Sequence, residues 1–148
     1  MSLNWSVFAV QRLRDLEDRK TAVENIKEQI KVLEQRFTAI RSAATDGTPV
    51  QGGNENKREE MLIHNISTRE ELKNNIDIIT REIAVTEKAL DTLTPEERLI
   101  LKRFFIQREK GYIERLCDEL YVSKTRLYQK KETALKKFTM ACYGIVEL

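Results

Sequence analysis

The chain has 148 residues, of which 41% are hydrophobic and 34% charged, with a mean hydropathy of −0.51 and a net charge of +2. Five glycines and two prolines among abundant Lys, Glu, Leu, Ile and Arg exclude a sheet-rich or low-complexity composition and point to an all-α protein. There is no run of about 18 apolar residues to span a bilayer, and the N-terminus lacks the basic-then-apolar order of a secretion signal, so a cytoplasmic protein without membrane contact is expected.

From Asn4 to Ala44 the apolar residues keep a heptad rhythm. Leu16, Val23, Ile30 and Phe37 fall seven apart, and Ile26, Leu33 and Ile40 interleave them, which is the a/d seam of a helix that packs on a partner helix. Trp5, Phe8, Val10 and Leu13 precede it with a broader apolar face. Residues 45–56 gather Gly47, Pro49, Gly52 and Gly53 and predict a flexible loop. This is not a phosphate-binding loop, because Asn54-Glu55-Asn56 stands where a lysine and a Ser/Thr must follow the glycines. The apolar pattern resumes at Met61, Leu62, Ile63 and Ile66, and Ser67 followed by Glu70 reads as a capping box that starts or restarts a helix. A second seam then runs through Leu72, Ile76, Ile79, Ile83, Leu90 and Leu93, broken at Thr86. Two long amphipathic helices joined by one loop predict a long antiparallel helical hairpin, a coiled coil, over residues 1–93. Its stripes are too apolar to face water and require each other or a second subunit, so a homodimer is expected.

Thr94-Pro95-Glu96-Glu97 combines an N-cap threonine, a proline at the first helical position and a glutamate three residues on, and opens a second domain over residues 94–148. Leu99, Ile100, Phe104 and Phe105 supply an apolar face, and Gly111 closes the segment. Ile113, Leu116, Cys117 and Leu120 then form one short helix face, Tyr121-Val122 a tight turn, and Ser123 the cap of another helix. This is helix–turn–helix spacing. Leu127, Ala134, Leu135 and Phe138 bury that last helix, while Lys124, Thr125, Tyr128 and Gln129 share an outward face suited to base edges in a major groove.

Charge supports an anionic partner for this end. Residues 1–93 hold 14 Lys/Arg and 16 Asp/Glu, a balance of −2, whereas residues 94–140 hold 12 and 7, a balance of +5, and Glu147 restores the total. The expected partner is double-stranded DNA. Ser123, Lys124, Thr125, Arg126, Tyr128, Gln129, Lys130, Lys131, Lys136 and Lys137 are the candidate contacts, with Arg126, Lys130, Lys131, Lys136 and Lys137 placed for phosphates.

The stretch Leu93–Phe138 resembles region 4 of bacterial sigma factors, whose pattern begins with an LTPEER-like helix and ends VSxxxVxQxxxxALxKL. The matching text here is LTPEERLIL and VSKTRLYQKKETALKKF. It departs from that pattern at Tyr121, where a small residue or glycine is usual, and at Lys130 and Lys131, where an apolar and an acidic residue are common. A region-4-like end behind a coiled-coil front is similar to the late-gene transcriptional regulators of Gram-positive phages, the ArpU and RinA type. That resemblance implies a regulator that binds promoter DNA without enzymatic activity. Two alternatives share these features: a phage assembly or DNA-packaging protein such as a small terminase subunit, and an adaptor that binds RNA polymerase.

No enzyme site, cofactor or metal is expected. The single histidine, His64, lies on a helical stripe without a nucleophile nearby in sequence. Cys117 and Cys142 lack CxxC spacing and read as reduced structural residues.

Overall fold

A helix forms where apolar residues recur every three or four positions and its ends find substitutes for their missing hydrogen bonds, and both conditions recur along this chain. The computed structural model describes residues 3–44 and 52–147. It is all-helical: α1 spans Trp5–Ala44, α2 Gly52–Asp91, α3 Pro95–Leu101, α4 Tyr112–Leu120 and α5 Lys124–Tyr143, with a π turn over Lys102–Ile106 continuing from α3. Among the described residues the sole β pairing is an isolated bridge between Asn4 and Glu147, beside a hydrogen bond from the Trp5 N–H to the Val146 carbonyl. No helix among them is long and apolar enough to cross a membrane.

The start of α3 is as the sequence predicts. Glu97 N–H donates to Thr94 Oγ1 at 3.2 Å, and Thr94 N–H donates to Glu97 Oε1 at 3.0 Å. Ser123 Oγ likewise accepts from Arg126 N–H at 3.1 Å to open α5, and Gly144, at φ 75°, ends it with its N–H on the Met140 carbonyl.

Three expectations are corrected inside α2. The loop expected over 45–56 is shorter, because Gly52–Asn56 already belong to the helix; the remainder, 45–51, lies outside the described residues. The Ser67–Glu70 box starts nothing, since α2 runs unbroken through both residues. Thr86 does not break the second seam but is fully buried within it. Its Oγ1 donates to the Glu82 carbonyl at 3.1 Å, so the hydroxyl is satisfied by its own helix and the methyl packs like a valine's.

The chain divides into two compact units, Thr21–Thr80 and the residues up to Lys20 with those from Arg81 on. In the latter, one apolar cluster joins Ala9 and Leu13 of α1, Ala89 of α2, Leu93 just beyond it, Leu101, and Ala134, Leu135 and Phe138 of α5. A second joins Ile100, Phe104, Leu116 and Leu127, and the ring of Phe105 packs against both. The π turn makes this double use feasible. Gln107 N–H reaches back to the Lys102 carbonyl, five residues away, at 2.7 Å, and with the widened turn Ile106, five residues after Leu101, packs on Leu101's cluster while Phe104 stays with Ile100 in the other. Arg12 adds a polar tie: its Nη1 lies 2.7 Å from Glu82 Oε2, and its Nε donates to the Tyr143 hydroxyl at 3.3 Å. Trp5 stacks beside Tyr143 with ring centres 5.0 Å apart, while Phe8 is exposed.

Among the described residues of Thr21–Thr80 the buried ones are Val23, Ile30 and Asn65. Asn65 Nδ2 donates to the Leu33 carbonyl at 2.8 Å and its Oδ1 accepts from Arg69 Nε at 2.8 Å, while the Arg69 guanidinium lies 4.9 Å from the centre of the Phe37 ring. The remaining seam positions, Ile26, Leu33, Phe37, Ile40, Leu72, Ile76 and Ile79, are half-buried.

Candidate nucleic-acid interface

The candidate contacts sit on α5, and packing decides which of its faces is free. Leu127, Ala134, Leu135, Phe138 and Thr139 are buried, the first beside Leu116 of α4 and the others over the first cluster or next to it. Between α4 and α5 the chain turns at Tyr121, whose backbone is left-handed at φ 54° and ψ 46°. The N–H groups of Tyr121 and Val122 both reach the Cys117 carbonyl.

The ten sequence-selected residues separate into three groups. Lys124, Thr125 and Lys136 are exposed and make no hydrogen bond or ion pair. Ser123, Arg126 and Gln129 form the second group, exposed and with side chains tied to one another: the Ser123 hydroxyl caps the helix on the Arg126 N–H, and Arg126 Nη1 lies 3.3 Å from Gln129 Oε1.

The third group is engaged elsewhere. Lys130 Nζ lies 2.8 Å from Glu96 Oε1, and Lys137 Nζ 2.8 Å from Glu97 Oε2, so both lysines stitch α5 to the first turn of α3. Lys137, followed by the Thr94 N–H, holds the Glu97 carboxyl below the usual carboxylate range. Partly exposed pairs of this kind stabilise by at most about 1 kcal/mol each, yet a phosphate must compete with a carboxylate already in place. A shallow groove of about 290 Å³ lies along this seam, lined by Glu96, Glu97, Arg126, Lys130 and Lys137. Lys131 pairs with Glu132 at 2.9 Å and lies 5.5 Å from the centres of both the Phe104 and the Tyr128 rings. Tyr128 stands edge-on to Phe104 with ring centres 5.8 Å apart, so it serves the second cluster as well as the surface.

Sequence reasoning missed Glu96 and Glu97 as partners of α5, having assigned both to the opening of α3. It also left Tyr121 out of the contact set, although its side chain is 94% exposed. Cys117 and Cys142 are half-buried against the two clusters, and burial pushes the Cys142 thiol up to about 11, which keeps it protonated and unreactive at neutral pH. His64 is exposed on α2.

Residues 39–139 match a family model described as protein of unknown function, DUF1492. The chain belongs to the DUF1492 family. The match takes in all of α2, α3, the π turn and α4, and α5 as far as Thr139. Every candidate contact from Ser123 to Lys137, and both glutamates that hold Lys130 and Lys137, therefore lie within the DUF1492 segment, whereas Ala9 and Leu13 lie before it. No curated protein and no solved structure matches the chain.

Proposed function

We propose that this chain is a sequence-specific, non-enzymatic DNA-binding regulator of transcription. In this reading α4 and α5 act as a helix–turn–helix, α5 enters the major groove, and α1 and α2 form an antiparallel hairpin through which two copies pair. The observation that carries the reading is the split character of α5. One side is buried, while Thr125 and Lys136 on the other, and Lys124 in the first turn, are exposed, polar or basic, and without a protein partner. A helix held rigidly from behind, with uncommitted donors in front, is what groove recognition requires. The likeness of LTPEERLIL and VSKTRLYQKKETALKKF to sigma region 4 supports the same role, and the coiled-coil pattern ahead of it supports a phage or prophage late-gene regulator acting in the cytoplasm, with RNA polymerase as a further candidate partner.

Substitution separates reading from positioning. With an operator selected from a random-sequence pool, Lys124→Ala or Gln129→Ala is expected to weaken the selected site by about 1–3 kcal/mol more than random duplex. Lys136→Ala is expected to weaken both alike, as a phosphate contact does. Equal losses on both DNAs from all three changes would show that α5 is not the reading helix.

Salt provides the second check. Lys124, Arg126 and Lys136 are the α5 cations without a carboxylate partner, and at about −0.9 per neutralised phosphate they give a log–log slope near −3 per protomer between 50 and 200 mM salt. A flat response refutes the electrostatic part of the proposal. Loss of all DNA affinity with polymerase binding retained would instead identify an adaptor, and a ring-sized assembly would identify a packaging component.

A further inference from the structure

We propose that Tyr121 is a DNA-backbone contact, its phenol hydroxyl donating to a phosphate and its ring lying against the adjoining deoxyribose; this rests on the DNA-binding role proposed above. Tyr121 is the one non-glycine residue among those described with a positive φ, and the two other positive-φ positions, 111 and 144, are both glycine. A left-handed backbone crowds the Cβ of any L-residue against its own carbonyl, and a bulky aromatic has no local hydrogen bond to offset that cost as Asn or Asp has. Glycine is the residue the turn itself favours.

The side chain returns nothing to the fold. It is 94% exposed, more than any other large apolar residue described, and it makes no ring contact, cation–π contact or hydrogen bond. A position that breaks a local rule without internal compensation points to a use outside the chain.

The surroundings favour DNA as that use. Tyr121 is followed within five residues by the exposed Lys124, Thr125 and Arg126, none of which has a carboxylate partner. Three residues of extended chain span at most about 11 Å, so the phenol and the Lys124 ammonium reach the same short length of a DNA strand. The α4 carboxylates within three residues of Tyr121 are Asp118 and Glu119, and Glu119 is occupied by Arg103 at 3.4 Å. Tyrosine is also a common residue of protein interfaces, so a protein contact is the competing outcome.

The test uses the full chain and mixed-sequence duplex DNA at 50 mM salt, because a backbone contact needs no operator. Tyr121→Gly is expected to raise Tm by about 2–4 °C, through release of the left-handed strain, while lowering DNA affinity about 5- to 10-fold. Tyr121→Phe keeps the ring and the strain, so Tm stays at the wild-type value and affinity falls about 3-fold, through loss of the hydroxyl donor. Opposite signs in stability and binding are the signature, since a residue serving only the fold cannot give them. A glycine variant that is stabilised and binds DNA as tightly as wild type overturns the proposal and leaves the DNA-binding role standing, with a protein surface as the contact of Tyr121. A Tyr121→Ala variant, which keeps the left-handed strain but lacks the ring, also overturns it if its Tm is lower than that of wild type, because the ring then supports the fold. Wild-type chain that binds no duplex at all removes the role on which the proposal rests.

Discussion

Phe138→Ala is expected to destabilise the protein by about 3–5 kcal/mol, the usual cost of deleting a fully buried aromatic and leaving a cavity. Phe138 has no exposed surface and meets Leu13 of α1, Ala89 of α2 and Leu101 of α3 in one cluster, so its ring joins four helices. Against a total stability of about 5–15 kcal/mol this is about a fifth of the whole or more, and Tm should fall by roughly 10 °C. DNA affinity should fall with it, since the same ring sets the height of α5. Phe138→Leu keeps most of the volume and is expected to cost under about 1.5 kcal/mol. Urea unfolding of the two variants decides the matter: a loss below about 1 kcal/mol for the alanine would mean that α5 is not seated by this residue.

The second large effect is expected from Ile30→Glu combined with Ile79→Glu. Ile30 is buried and Ile79 half-buried in the Thr21–Thr80 unit, where the described core is otherwise Val23 and Asn65. A carboxylate at Ile30 loses water without gaining a partner, a cost of several kcal/mol, so helical circular dichroism should drop. Ile26, Leu33, Phe37 and Ile40 of the same unit are only half-buried, and the proposed dimer would cover what they leave exposed. Light scattering should therefore report about twice the 17.3 kDa chain mass for wild type and a single chain mass for the variant. The variant should also lose operator affinity although neither change lies near α5, because two paired half-sites supply discrimination that one helix lacks. A wild-type chain that is monomeric at tens of micromolar and still binds one short operator tightly would end the dimer proposal.

What the sequence made legible is what depends on neighbours in the chain. The Thr94 and Ser123 caps are satisfied within three residues, and the spacing of Leu127, Ala134, Leu135 and Phe138 marks the buried side of α5 without knowledge of what covers it. Features that depend on distant residues were not legible. Lys130 and Lys137 look like phosphate contacts from the basic count of their segment, yet their partners, Glu96 and Glu97, lie more than thirty residues upstream in the cap of α3. The cluster under α5 draws on Ala9 and Ala89, small residues that add little to a hydrophobic pattern, and on Leu13. A cut at Leu93 gives no hint that the start of α1 supports the last helix, and a fragment beginning at Thr94 would lack that support. Gly52 and Gly53 read as loop because each costs a helix about 1 kcal/mol relative to alanine, a preference that the helix overrides here. Thr86 read as a gap because a hydroxyl counts as polar until its own helix satisfies it.

The π turn at Lys102–Ile106 carries one residue more than an α-helix would use over the same arc. Each α-helical residue advances the helix by about 100°, so the extra residue acts as a phase shifter: Ile106 rejoins the cluster of Leu101 five residues on, while Ile100 and Phe104, four apart, keep to the other. No single helical period describes the stretch from Pro95 to Ile106, and an alignment that treats it as an ordinary spacer will mismatch one stripe or the other. A one-codon deletion there shortens the chain by a single residue but acts chiefly as a rotation, turning the face that meets α4 and α5 away from them.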